Sequence, residues 1–326
     1  MIFDGANYIF HLFIGLYIIS IKQNYMKKIQ TIIHIGGNKT ASTLLQRQLL
    51  SRQENIKYFG EDCINYDDLK DIINNMIHED SFYYDANELI SKFNLNNIED
   101  NKTRIVFSNE DIMGSRHPSI GAKRLKKIFP NAQVLMIIRN QLDVFPSWYI
   151  NHGAYLKNVP KKFWRKYVNI NNWLDYCFSF SKNSPVQAMN YYKYFKIYSE
   201  VFGEENIIVI PYEDIFLDKI GFCKKLSTIF DVLPTEIENV FSLKSERPRN
   251  SKLKHQIHKI FGFSQKVSKT IYAFLSPIDY SGPAKINLPY KWRNKIYFQY
   301  ANSNFALSKK IGINLKKYGY PFLENK

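Results

Sequence analysis

Five short apolar runs punctuate the chain, each followed by glycine, polar or charged residues: Thr31–Ile35, Ile56–Phe59, Arg104–Phe107, Val134–Ile138 and Ile207–Ile210. Val134–Ile138 is apolar at every position, the pattern of a strand covered on both faces of a parallel sheet. Between these runs the apolar residues recur at helical spacing, over Ala41–Gln53, Asp67–His78, Gly121–Phe129, Ala188–Phe202 and Asp218–Phe230. Pro130-Asn131 and Gly203 supply two of the stops. Strands alternating with helices predict an α/β fold, a parallel sheet flanked by helices. Glu79–Asn101 is polar and Asn-rich and reads as irregular or lightly helical, while Lys291–Tyr318 reads as a helix-rich tail closed by Gly319-Tyr320-Pro321. With no internal repeat and no low-complexity linker, residues 26–326 read as a single domain.

The first strand turns through Gly36-Gly37-Asn38-Lys39-Thr40-Ala41-Ser42-Thr43 into a helix. Glycines let backbone approach a ligand closely, amides point from the helix start, and Lys39, Thr40, Ser42 and Thr43 add a cation and hydroxyls. These are the parts of a phosphate cradle. The pattern G-x-x-x-x-G-K-[ST] is not met, since no glycine adjoins Lys39 and the loop is too short, which argues against an ordinary nucleotide triphosphatase. The stretch resembles instead the 5′-phosphosulfate loop of sulfotransferases that use 3′-phosphoadenosine 5′-phosphosulfate (PAPS), whose pattern runs G-x-x-K-[ST]-G-[ST]-[ST] after a hydrophobic strand. It departs at Ala41, where the family has glycine. A positive φ there strains alanine by about 1 kcal/mol or more, whereas a helical φ costs nothing.

Arg139 leaves the Val134–Ile138 strand and Ser147 follows eight positions later. In the family an arginine and a serine so spaced hold the 3′-phosphate of PAPS; a guanidinium suits phosphate oxygens and a hydroxyl adds a neutral donor. Pro211-Tyr212-Glu213-Asp214-Ile215 is similar to a family segment whose tyrosine lies near adenine, which implies that Tyr212 stacks on the cofactor base. Arg249 and Ser251 fall where the family closes over the 3′-phosphate. The resemblance spans most of residues 29–252 and implies a sulfotransferase fold, P-loop-like, with sulfuryl transfer from PAPS to a hydroxyl, on a saccharide or lipid-linked glycan of the bacterial carbohydrate type. In that mechanism Lys39 neutralises charge on the leaving phosphate, Gly36, Gly37, Asn38 and Ala41 supply loop backbone, and no metal is expected.

The carboxyl ends of strands in an open α/β sheet are where chemistry is placed. Glu110, just past Arg104–Phe107, is the first choice for the base that takes the acceptor proton; Glu61 is second, and His152, beyond the Ser147 helix, stays open. Ser108-Asn109-Glu110-Asp111 also suits a helix start, which gives Glu110 a purely structural alternative. Among the aromatic residues that follow Ser147, Tyr149 and Tyr155 are the candidates for stacking on a flat acceptor.

The chain has 326 residues and a formal net charge of +16, which calls for an anionic partner without saying which. A nucleic-acid reading accounts for the charge, but the lysines are dispersed and no recognition motif is present, so no nucleic acid is expected. A nucleotide kinase accounts for Lys39 and the glycines and needs an Mg²⁺-binding carboxylate and ATP; a membrane-associated scaffold of the same fold, weakened in activity, accounts for Ala41. Three scattered cysteines, Cys63, Cys177 and Cys223, suggest neither disulfides nor zinc and fit the reducing cytoplasm. Residues 1–25 hold the apolar run Ile9–Ile21, short for a span of about 20 residues and a poor signal peptide. It reads as a translated leader ahead of Met26 or as a weak anchor that keeps the rest at the inner face of the membrane. From Lys252 to Ile278 there is no acidic residue, and apolar positions recur among five lysines. Residues 252–290 therefore read as a basic amphipathic insertion, either core-packed or docked on anionic membrane.

Overall fold

The computed structural model describes residues 30–37, 39–61, 76–77, 80–93, 102–115, 117–150, 167–180, 185–242 and 250–323. Asn38, His152, Tyr155, Arg249, Cys63, the 1–25 segment and most of the expected 67–78 helix lie outside the described residues. Five strands, β1 (Gln30–His34), β2 (Ile56–Phe59), β3 (Arg104–Ser108), β4 (Gln133–Ile138) and β5 (Ile207–Pro211), form one parallel sheet in the order β2-β3-β1-β4-β5. Register pairs Ile33 with Phe107 on one side and with Val134 on the other.

Alternation along the strands explains why the runs are apolar throughout. Ile33, Ile105, Phe107, Val134, Met136 and Ile138 join a core on one face, and Ile32, Val106, Leu135, Ile137 and Ile210 join a second on the other. The first is covered by α3 (Pro118–Ile128), α4 (Gln141–Trp148), α7 (Tyr191–Phe202) and the long α13 (Tyr290–Ile311); the second packs against α9 (Lys219–Phe230) and α10 (Pro234–Ser242). The connection after β1 leads outward to β2 and the one after β4 leads the opposite way to β5, so a crevice opens between the carboxyl ends of β1 and β4. A ligand site belongs there.

Several expected helices differ in detail. The one after β1 begins at α1 (Ser42–Leu44) and continues as a π-type turn (Leu45–Leu49) and a 3-10 turn (Leu50–Arg52), with Ala41 left-handed ahead of it. Ala188–Phe202 is split into α6 (Pro185–Ala188) and α7, because the Asn190 side chain accepts the Lys193 amide and starts a new helix. On α3, Arg124 is buried, with its guanidinium over the Tyr84 ring and donating to the Met76 carbonyl. Lys252–Ile278 is two helices, α11 (Lys252–Ile260) and α12 (Gln265–Leu275), joined by a turn.

Candidate active site

The loop after β1 is built from left-handed backbone. Gly36, Lys39 and Ala41 have φ of 56°, 71° and 60°, so the loop curls through left-handed residues of the kind that build anion-binding nests. Ala41 takes the strained alternative. Gly37 lies against β4, where an added Cβ would come 2.7 Å from the Ile137 carbonyl oxygen; only glycine lets the loop sit this close to the neighbouring strand. Thr40 Oγ1 donates to the Gly37 carbonyl (2.5 Å) and lies 3.2 Å from Ser42 Oγ, and both residues are buried. Thr43 is half-buried on the following turn.

Glu110 opens the 3-10 turn Glu110–Gly114 at the end of β3, capped by Asn109, whose side chain accepts the Asp111 amide. The helix-start alternative is thus met by Asn109, and Glu110 occupies the first turn facing the loop. Its Cγ lies 3.5 Å from where a Cβ on Gly36 would stand. Burial pushes its carboxyl up to about 7, against the pull of Lys39 and a hydrogen bond with Ser42. Glu61, the second carboxylate, is ion-paired with Arg47 (2.6 Å). The structure therefore brings Lys39, Ser42 and Glu110 together and gives Glu61 a cation of its own.

Beneath the loop, His34 at the end of β1 is fully buried, its Nδ1 2.8 Å from Ser108 Oγ, to which Gln46 also donates (2.9 Å). The sequence reading missed this cluster. Burial holds the His34 imidazole down to about 4, so it stays neutral. Because Ser108 ends the strand that delivers Glu110, the cluster ties β1, β3 and the helix after the loop into one rigid floor.

Arg139 links two halves of the crevice. Its Nη1 donates to the Lys39 carbonyl (2.8 Å), its guanidinium lies 4.7 Å from the Tyr212 ring centre, and its own carbonyl accepts from Tyr191 (2.7 Å). It also lines a cavity of about 510 Å³ together with Ser147, Asn250, Lys285, Arg293 and Asp143, within the range of nucleotide-sized sites. The expected pair Arg139 and Ser147 thus faces one cavity. Lys285 and Arg293 were not foreseen: they arrive from the segment before α13 and its first turn, far along the chain and in no motif. Tyr212 meets Arg139 and Phe216, ring to ring at 5.7 Å with the latter.

Two expectations are corrected. Ser251 does not line the cavity; its hydroxyl accepts the Lys254 amide and caps α11, and the adjacent Asn250 faces the cavity instead. Tyr149 cannot stack on an acceptor, because it is 1% exposed and its hydroxyl donates to the Val168 carbonyl (2.7 Å) inside the core.

The Tyr-Glu-Asp segment after β5 acts through its two carboxylates. Glu213 accepts the Asn140 amide (2.8 Å) and the Tyr320 hydroxyl (2.9 Å), while Asp214 accepts Tyr318 (2.7 Å) and pairs with Lys225 (3.1 Å). Burial raises the Glu213 carboxyl above its ordinary value. Asn140 is next to Arg139 and also donates to the Gly319 carbonyl (2.8 Å), so the chain's closing residues and Glu213 together fix where Arg139 leaves the sheet.

The parallel five-stranded sheet thus carries a left-handed loop after β1, a buried carboxylate after β3 and an arginine after β4 at the same end. The family model described as sulfotransferase domain matches residues 116–271, a span that holds Arg139, Ser147 and Tyr212 and begins after Lys39 and Glu110. Over this span the chain is similar to the sulfotransferase domain family. Its fold is similar to the crystal structure of a sulfotransferase from Alicyclobacillus acidocaldarius, with TM-score 0.55 and 12% identity, covering 89% of this chain and 98% of that one. No curated protein sequence matches the chain.

Proposed function

We propose that the protein transfers a sulfuryl group from PAPS to the hydroxyl of a saccharide or lipid-linked glycan. The observation that carries this is the meeting, at one crevice, of the curled Lys39 loop, the Glu110 carboxyl and the Arg139 guanidinium. The loop amides, Thr40, Ser42 and Thr43 hold the 5′-phosphosulfate. Arg139 and Ser147, with Lys285 and Arg293 in the same cavity, hold the 3′-phosphate, the group that sets PAPS apart from ATP. Tyr212, already stacked by Arg139, flanks the adenine.

In the reaction the acceptor oxygen attacks sulfur in line, the new S–O bond forms as the bond to the bridging phosphate oxygen breaks, and 3′-phosphoadenosine 5′-phosphate leaves. Lys39 meets the negative charge that develops on that leaving oxygen. The acceptor proton goes to Glu110, whose carboxyl near 7 is ionised enough at neutral pH to accept it and basic enough to pull.

The test is incubation with sulfate-radiolabelled PAPS and a panel of polysaccharide and lipid-linked sugar acceptors. The expected result is label on an acceptor together with release of the bisphosphate. Glu110→Gln and Lys39→Ala should each lower the rate by roughly a hundredfold or more. Transfer of the γ-phosphate of ATP instead would replace this reading with a kinase.

A further inference from the structure

The α11–α12 hairpin carries a surface that the sulfuryl-transfer site does not use. Its two helices hold each other through polar and ring contacts: His258 Nδ1 lies 2.7 Å from Ser268 Oγ, and the Lys254 ammonium lies 5.2 Å from the Tyr272 ring centre. Ile257 is buried, but other apolar side chains of the helical pattern are left outside. Ile260 and Phe263, around the turn, are each 69% exposed. On α12 Val267, Ile271 and Phe274 recur at i, i+4 and i+7, with Ile271 half-buried and Phe274 85% exposed, and Ile278, in the turn after the helix, is 66% exposed. No apolar side chain of α12 is buried.

Charge on the same hairpin has one sign. Lys252, Lys259, Lys266 and Lys269 are exposed, and no acidic residue occurs from Lys252 to Ile278. The first carboxylate after it, Asp279, is turned into the hairpin, where it accepts from Ser281 (2.6 Å) and Tyr272 (3.1 Å). Exposed lysines on the same hairpin as projecting phenylalanine and isoleucine complement a surface that is anionic outside and hydrocarbon within. A protein partner fits worse, since interface cores are depleted in lysine. A soluble polyanion would use the lysines and leave the aromatic side chains in water.

We propose that the α11–α12 hairpin docks the protein on anionic lipid, with Phe263 and Phe274 entering the headgroup boundary and Lys259 and Lys266 meeting lipid phosphates. The hairpin adjoins the cavity, since Asn250 lines it and the next residue, Ser251, caps α11. Docking by this face would hold the cavity close to the lipid surface.

The experiment is co-sedimentation of the full chain with vesicles of equal parts phosphatidylglycerol and phosphatidylcholine, beside vesicles of phosphatidylcholine alone. Two double variants are compared, Phe263→Ser with Phe274→Ser and Lys259→Glu with Lys266→Glu. All four side chains are exposed, so thermal melting is expected to be unchanged. Binding is expected on the anionic vesicles only, to weaken as salt rises, and to fall about tenfold in either variant. Equal binding to neutral vesicles, or full binding retained by both variants, would overturn the proposal. So would binding to a soluble polyanion such as heparin without binding to vesicles, or vesicle-independent self-association that the phenylalanine variant abolishes.

Discussion

At the scale of single residues, the site is held together by side chains whose states are set by burial. Glu110 keeps its proton to about 7 in the folded protein but only to its ordinary value when unfolded, so the folded state binds more protons between those two points. The stability this contributes is present below the lower value and is lost as pH rises through 7. Glu110→Gln is therefore expected to stabilise the fold at pH 8 by roughly 2–3 kcal/mol, with the gain vanishing in acid, while activity is lost. His34 has the opposite sign. Its folded value near 4 lies below that of an unfolded histidine, so its contribution is complete above the unfolded value and is lost as pH falls toward 4. In Glu110→Gln this acid-side decline is no longer opposed, and melting temperature should drop more steeply than in the parent over the same range. Ala41 offers a simpler check. Glycine accepts its left-handed φ without strain, so Ala41→Gly should stabilise by roughly 0.5–1 kcal/mol in thermal melts, the reverse of what the substitution does inside a helix.

At the scale of elements, Glu213 and the chain's last described turn act as a buckle on β4. Glu213→Ala would strand the Asn140 amide and the Tyr320 hydroxyl; a loss of roughly 1–3 kcal/mol is expected in denaturant titration, along with weaker nucleotide binding as Arg139 loses its fixed exit from the sheet. The strands themselves were legible in sequence because both faces of the sheet are covered, which leaves continuous apolar runs such as Val134–Ile138. Lys39, Arg139 and Ser147 were legible because their spacing follows a pattern tied to strand ends. Other features were not. Ala41 has the highest helix propensity of any residue type, yet it sits ahead of the helix in the left-handed region. Tyr149 and Arg124 look like surface side chains until Val168, Tyr84 and Met76 supply partners for their polar ends. Lys285 and Arg293 reach the cavity from an irregular segment and the long C-terminal helix, so no local pattern announces them.

At the scale of the whole molecule, basic side chains line the crevice and the α11–α12 hairpin, and the fold keeps the two adjacent. Among the described residues no helix is long and apolar enough to cross a membrane. The central claim concerns the crevice: that the Lys39 loop and the Arg139 cavity together bind a nucleotide by its 5′- and 3′-phosphates. Isothermal titration of the protein with 3′-phosphoadenosine 5′-phosphate, beside ADP, measures this most directly. The account predicts binding that requires the 3′-phosphate and that weakens about tenfold or more in Arg139→Ala, the cost of one charge-assisted phosphate contact. Equal affinity for ADP, or binding of the bisphosphate unchanged in Arg139→Ala, would contradict it.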